Sequence, residues 1–359
     1  TNGAIRLTTP EKTTGSGTAP SPIESQSYEM LDGKLLTFAN TGSGHELWSM
    51  KPDGKGARSL WKASSPLGEN GALGFHAVTP HGAIFSYYDG ADVRQVWITD
   101  GTKKGTRLLG DHGTDSGGYP RDFVKLGDTW YYSVVNNHVA SGAGLWKTDG
   151  TPAGTTKVVA ADGTAPGPLA DQLVVFNDLL YFFAAQGNGQ AALWRSDGTA
   201  AGTVIVKDEW YDDSFQILHS LSVAGDELTF AIATSLTDLL WHSDGTTAGT
   251  LEVPYPHGSF GAGIYSPAVD LNGTAIFQAR PSYSSSVQLW RYDANGTTQL
   301  RPDITGEHIY PWQAGSRMQA VAGTRMFYNG LQDDDSELWI TDGTDAGTHR
   351  VKDINPGAA

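Results

Sequence analysis

A tryptophan that recurs at a nearly constant interval constrains this chain more than any other feature. Each copy follows a Leu or Val, and successive copies are separated by 47 to 49 residues. The seven copies are Trp48, Trp97, Trp146, Trp194, Trp241, Trp290 and Trp339. A fixed period of this length indicates a repeat architecture, in which one ring of repeats uses the whole chain of 359 residues as a single domain.

Each repeat contains two tight turns. Five copies read Asp-Gly-Thr-x-x-Gly-Thr, beginning three residues after the Trp, at Asp100, Asp149, Asp197, Asp244 and Asp342. The copies at Asp53 and Asp293 are degenerate. A second turn lies upstream of each Trp, as at Asp32-Gly33 and Asn272-Gly273, and these dipeptides favour two-residue hairpins. Each repeat therefore holds four short antiparallel strands, here named A to D from centre to rim.

Four strands per repeat and seven repeats predict an all-β fold, a seven-bladed β-propeller of four-stranded antiparallel blades. The Leu and Trp of strand C face opposite sides of their sheet, and both sides of a blade are covered by neighbouring blades. Gly3 to Pro10 resembles the D strands and is predicted to pair with the last blade as a closing strand. The predicted segments are an N-terminal arm at 1–27 and blades at 28–62, 75–110, 121–160, 170–208, 215–254, 266–303 and 316–354.

The repeat resembles the ELWxxDGTxxGT repeat of bacterial, mostly extracellular proteins. The resemblance covers about Tyr28 to Ile354, and the motif is specific. It implies a repeat β fold and does not imply one activity. The chain also begins at Thr1 rather than Met, which suggests either a removed signal segment or a start trimmed for expression, and a secreted bacterial protein is the expectation that fits best.

Composition excludes several classes of function. There is no Cys, so neither disulfides nor a thiol nucleophile are available. The formal net charge is −15, and nucleic acids and anionic membranes both require a basic surface, so neither is an expected partner. No apolar run is long enough to insert into a membrane. One carboxylate per turn falls short of the six to eight oxygens that calcium requires, so no cofactor or metal is expected, with calcium left open.

The candidate ligand-binding residues lie on one face of the predicted propeller. The A–B and C–D turns share one face and are uniform, whereas the D–A and B–C loops share the other face, here called the loop face, and are long and variable. Variable loops on a rigid frame often carry function. Their aromatic, acidic and basic side chains give these candidates: Trp210, Tyr211, Asp212, His257, Tyr265, His308, Tyr310, Trp312, His112, Tyr119 and Arg121.

Three functions fit these residues. Aromatic rings beside carboxylates suit the apolar faces and hydroxyls of sugars, so the leading prediction is a secreted lectin-like propeller that binds a glycan. A lyase or glycosidase would instead use loop-face His, Tyr and Arg. The third reading is a protein-interaction platform in an extracellular assembly. Several candidates have a structural alternative. Trp210 and Trp312 could fill gaps between blades, each His could be a solvated or hydrogen-bonded loop residue, and Arg121 could pair with Asp122.

Overall fold

The computed structural model describes fourteen segments of the chain. They are residues 28–41, 44–67, 71–90, 93–113, 120–134, 143–166, 171–186, 190–210, 217–254, 263–264, 268–280, 287–301, 319–332 and 335–354. The N-terminal arm, with its predicted closing strand, lies outside them. Contacts divide the chain into two compact units, a first unit up to Asp171 and a second unit from Gln172. Within the described segments no helix has the length and apolarity needed to cross a membrane.

The first unit consists of three four-stranded antiparallel sheets, with the strands of each sheet in chain order. Blade 1 comprises β1 (Tyr28–Leu31), β2 (Lys34–Asn40), β3 (His45–Met50) and β4 (Arg58–Lys62). Blade 2 comprises β5 (Ala72–Thr79), β6 (Gly82–Tyr88), β7 (Arg94–Thr99) and β8 (Arg107–Asp111). Blade 3 comprises β9 (Pro120–Leu126), β10 (Thr129–Val134), β11 (Gly144–Thr148) and β12 (Thr156–Lys157).

The second unit holds four more antiparallel sheets, three of four strands and one of five. Blade 4 comprises β13 (Asp171–Phe176), β14 (Leu179–Ala185), β15 (Ala191–Ser196) and β16 (Val204–Lys207). Blade 5 comprises β17 (Ile217–Ala224), β18 (Glu227–Ala233), β19 (Asp238–Ser243) and β20 (Thr250–Glu252). Blade 6 comprises β21 (Gly263–Ile264), β22 (Val269–Leu271), β23 (Thr274–Arg280), β24 (Gln288–Asp293) and β25 (Gly296–Gln299). Blade 7 comprises β26 (Gln319–Ala322), β27 (Arg325–Gln332), β28 (Asp335–Thr341) and β29 (His349–Lys352).

These seven sheets confirm the predicted all-β, seven-bladed β-propeller. Blade 6 differs from the others in its A strand, which is divided into β21 and β22, both paired with β23. The predicted two-residue A–B turns are also present. Asp32 and Gly33, with φ of 48° and 74°, and Asn272 and Gly273, with φ of 56° and 82°, lie in the left-handed region that such turns require.

The repeated Leu-Trp pair joins neighbouring blades within each unit. The apolar residue before the Trp packs into the cluster that surrounds the Trp of the next blade, as Leu47 does near Trp97 and Leu193 near Trp241. In blades 1 to 6 this residue is at most 3% exposed, whereas Leu338 in blade 7 is 37% exposed. Full burial of one such side chain contributes about 1.5–3 kcal/mol, so the pair is a principal source of blade cohesion.

The Trp itself packs against an aromatic residue of strand B. The pairing register places Phe85 opposite Trp97, Phe182 opposite Trp194 and Phe230 opposite Trp241, and each pair of rings is stacked within 13–18° of parallel. Blade 1 is an exception, with Thr37 opposite Trp48. Cross-strand aromatic pairs stabilise sheets beyond the area they bury, so this register fixes the two inner strands of a blade against each other.

Candidate functional site

The Asp-Gly-Thr-x-x-Gly-Thr turn is a closed hydrogen-bond network. In blade 2, Asp100 Oδ1 accepts hydrogen bonds from the Thr102 amide at 2.8 Å and the Thr102 hydroxyl at 2.6 Å. The Thr106 hydroxyl donates to the Thr102 carbonyl and is 2.7 Å from the Thr99 hydroxyl. A Cβ on Gly105 would overlap the Asp100 carboxylate, which explains the second Gly of the motif. The turn therefore needs a hydroxyl immediately before its Asp, a signal that the predicted motif omitted.

The other four regular turns repeat these contacts. In each of them the Asp Oδ1 accepts a hydrogen bond from the hydroxyl of the Thr two residues later at 2.7 Å, and the hydroxyl pair is 2.7 Å apart. The Thr hydroxyl is the main reason that the pKa of the carboxyl is lowered in four turns, those of Asp100, Asp149, Asp244 and Asp342. These side chains are exposed and ionised at neutral pH. No group of three or more metal-binding side chains occurs in the described segments.

The same turns also connect blades. Arg58 of blade 1 donates to the Gly101 carbonyl of blade 2 at 3.0 Å, and Arg107 of blade 2 donates to the Gly150 carbonyl of blade 3 at 3.5 Å. In the second unit, Arg195 of blade 4 donates to the Gly245 carbonyl of blade 5 at 3.4 Å. Each carbonyl belongs to the Gly of Asp-Gly-Thr, so the turn is a docking point for the preceding blade.

Trp210, a candidate for sugar stacking, is part of the packing between blades 4 and 5. Its ring meets Trp241 edge-on at 5.3 Å and Phe230 at 5.8 Å between centroids. Its indole N–H donates to the Ala191 carbonyl at 3.0 Å. Lys207 lies over both tryptophan rings. Trp210 therefore fills a gap between blades, as its structural alternative predicted, because both its ring and its N–H are already engaged.

His112 is 5% exposed and occupies the equivalent position between blades 2 and 3. Its ring lies edge-on to Trp146 at 4.5 Å between centroids, and Nε2 is 3.2 Å from the Tyr132 hydroxyl. Burial lowers the pKa of His112 to about 4, so the ring is neutral at pH 7. Trp61 makes the same edge-on contact with Trp97 between blades 1 and 2. An aromatic residue at or after strand D thus supports the next Trp at three junctions.

Arg121 lies at the start of strand A in blade 3. Its Nε is 3.5 Å from Asp122 Oδ2, and both side chains are about one-third exposed. Asp122 also accepts a hydrogen bond from the Ser133 hydroxyl at 3.1 Å, and its φ of 55° is unusual for a residue other than Gly. Arg121 is therefore paired with Asp122, as its structural alternative predicted.

The remaining candidates lie outside the described residues, and their placement stays a prediction. They are Tyr119, Tyr211, Asp212, His257, Tyr265, His308, Tyr310 and Trp312.

A second histidine at this junction, His76, is partly buried and was not among the candidates. His76 interrupts the A strand of blade 2 at a bulge, its Nε2 is 2.7 Å from the Ser86 hydroxyl, and its ring stacks on Phe123 at 4.2 Å. Phe123 stacks in turn on Tyr132, so one aromatic stack links His76 to His112. Burial lowers the pKa of His76 to about 4. These groups hold blades 2 and 3 together.

Charge is divided unevenly between the two units. Residues 172–359 contain 22 Asp and Glu against 9 Lys and Arg, whereas residues 1–171 contain 17 against 15. Nearly all of the net charge of −15 therefore belongs to the second unit. Five of its turn carboxylates are exposed: Asp178, Asp197, Asp226, Asp244 and Asp342. An uneven distribution of this size creates a surface potential that attracts cations to one part of the molecule.

We compared the chain with protein families, curated proteins and solved structures, and found similarity only to the fold of solved structures. No protein-family model and no curated protein matches the sequence. A crystal structure of puromycin hydrolase is 12% identical over 95% of this chain and 58% of that chain, with a TM-score of 0.49. A puromycin-hydrolyzing peptidase of Mycobacterium tuberculosis is 9% identical over 95% and 57%, with a TM-score of 0.46. The β-propeller domain of the Trilobed protease from Pyrococcus furiosus is 11% identical over 92% and 95%, with a TM-score of 0.42.

This comparison corrects the predicted function. The matched structures are puromycin hydrolases and a protease propeller, not lectins, so the glycan-binding prediction was wrong. The packing of Trp210 is a physical reason, because the ring and the N–H of this sugar-stacking candidate are both engaged between blades 4 and 5. This chain spans less than three-fifths of the length of the puromycin hydrolases that it resembles.

Proposed function

We propose that this chain is a binding module for a cationic polypeptide, which it holds on its second unit. The observation that carries the proposal is the division of charge, with a net −13 on residues 172–359 and −2 on residues 1–171. A partner rich in Lys and Arg would be steered toward the acidic unit, and the difference in net charge between the two units would orient it.

The geometry of the turns supports this role. Asp197, Asp244 and Asp342 are exposed, and each is held by its own Thr hydroxyl at 2.7 Å. Asp178 and Asp226 are exposed in the A–B turns of blades 4 and 5, where tight hairpins fix the backbone. A partner that meets carboxylates already fixed in place loses less side-chain entropy in ordering them.

Neutralising the A–B turns of the second unit tests the proposal. Asp178→Asn with Asp226→Asn removes two exposed charges while keeping a residue that tolerates these turn conformations. We expect the affinity for a fluorescent ten-residue lysine peptide, measured by anisotropy at low salt, to fall about threefold to tenfold. A ten-residue glutamate peptide should not bind.

The matched control is the pair Asp32→Asn with Asp128→Asn. These residues occupy exposed A–B turns of blades 1 and 3, and their replacement changes the net charge by the same amount. The proposal requires the control pair to bind the lysine peptide nearly as well as the unmodified protein. Equal losses for the two pairs would mean that only overall charge matters, and the proposal would be wrong.

A further inference from the structure

The junction between blades 5 and 6 is built differently from the junction before it. Between blades 4 and 5, Arg195, which follows the repeat Trp, donates to the turn carbonyl of Gly245. Blade 5 has His242 at the position of Arg195, and the facing turn in blade 6 is the degenerate copy that begins at Asp293. A permanently charged donor is thus replaced by an imidazole at this junction.

His242 belongs to a three-residue cluster near the A–B and C–D turns of blade 5. Its Nδ1 is 3.1 Å from Glu227 Oε2, and the same oxygen accepts a hydrogen bond from the Tyr292 hydroxyl of blade 6 at 3.3 Å. Burial, with the nearby Glu227 carboxylate, raises the pKa of Tyr292 to about 12, so the phenol keeps its proton. Asp244 also interacts with His242: the Thr246 hydroxyl is the main cause of the lowered pKa of the Asp244 carboxyl, and His242 contributes in the same direction. Glu227 therefore links blade 5 to blade 6.

A second pair, His219 and Asp238 of blade 5, also connects blade 5 to blade 6. Asp238 of blade 5 accepts a hydrogen bond from the Ile264 amide of blade 6 at 2.8 Å. His219 Nε2 is 3.6 Å from the same Asp238 Oδ2, and its Nδ1 is 3.0 Å from the Ser220 hydroxyl. At 3.6 Å the contact between His219 and Asp238 is longer than a hydrogen bond, so its attraction depends on the imidazolium charge.

We propose that these two clusters form a pH-sensitive seam, in which protonation of His219 and His242 tightens the hold of blade 5 on blade 6. The blade 5–6 seam consists of His219, Glu227, Asp238, His242, Ile264 and Tyr292. When an imidazole takes up a proton, its contact with a carboxylate becomes charge-assisted and stronger. The carboxylates are then held in position for Tyr292 and the Ile264 amide. The four side chains of the His–carboxylate pairs are 20–38% exposed, so salt should weaken the effect.

Amide hydrogen exchange at Ile264 reports on the seam directly, because this amide donates to Asp238. After correction for the intrinsic pH dependence of exchange, we expect protection of Ile264 in the unmodified protein to rise about twofold to fivefold from pH 8 to pH 5.5. His219→Gln with His242→Gln should abolish the rise. His349→Gln, at an exposed position in blade 7, is the matched control and should retain it.

A second pair of variants keeps the test decisive if the double histidine variant does not fold. Asp238→Asn with Glu227→Gln preserves an oxygen acceptor for the Ile264 amide and the Tyr292 hydroxyl but removes both negative charges. We expect Ile264 to stay protected with no pH response. Protection that is unchanged or lower at pH 5.5 in the unmodified protein, or a response that survives in these variants, would overturn the proposal.

Discussion

His112 should make the stability of blades 2 and 3 depend on pH. The ring is 5% exposed, and burial lowers the pKa of His112 to about 4, against about 6.5 for a histidine in an unfolded chain. Between these two values the unfolded chain binds a proton that the folded protein does not. The free energy of unfolding is therefore greatest above pH 6.5 and decreases as the pH falls toward 4.

The size of the effect follows from the two pKa values. Each unit of pKa difference corresponds to 1.36 kcal/mol, so His112 alone should remove about 3 kcal/mol between pH 6.5 and pH 4. At pH 5 the loss from this residue should be about 2 kcal/mol. His76 contributes in the same direction, since burial also lowers its pKa to about 4.

Urea unfolding at pH 7.5 and pH 5.0, followed by tryptophan fluorescence, measures this difference. His112→Phe removes the titrating group while keeping an aromatic ring beside Trp146. The variant should be less stable at pH 7.5, because the Tyr132 hydroxyl loses its partner. Its loss of stability between the two pH values should nevertheless be about 2 kcal/mol smaller than that of the unmodified protein. Equal losses in the two proteins would refute the assignment of a buried, neutral His112.

Two further substitutions test the turn and the packing. Gly105→Ala should destabilise the protein by about 1–3 kcal/mol because the new Cβ overlaps the Asp100 carboxylate, and adding Asp100→Ala should recover part of the loss in melting temperature. Trp210→Ala should cost about 3 kcal/mol in chemical denaturation because it opens a cavity beside Trp241, whereas a solvent-facing Trp210 would be replaced at almost no cost.

The repeat made most of the fold predictable. Antiparallel strands and two-residue turns depend on contacts close in sequence. Both recur every 47–49 residues, so the same four-strand pattern can be recognised in each of the seven repeats. The apolar residue before the Trp is buried in blades 1 to 6, as predicted, but Leu338 of blade 7 is 37% exposed. Trp48, Trp97 and Trp146 are only partly buried. The hydroxyl pair of Thr99 and Thr106 was missed, although the residue before each regular Asp is Ser or Thr and was visible in the sequence.

The roles of individual loop residues were less predictable. Trp210 and His112 each contact a Trp more than 30 residues further along the chain, and their local sequence does not distinguish a ligand-binding aromatic residue from one that packs between blades. The role of Arg121 was easier to predict, because its partner Asp122 is its neighbour in sequence. The uneven charge of the two units can be counted only after the structure has divided the chain near Asp171.

Hydrogen-exchange footprinting of the full chain with and without the ten-residue lysine peptide tests the central claim most directly. If the second unit holds a cationic polypeptide, added protection should concentrate in blades 4 to 7, at turns such as those of Asp178, Asp226 and Asp244, and should disappear at high salt. Protection spread evenly over blades 1 to 7, or concentrated in blades 1 to 3, would contradict the account.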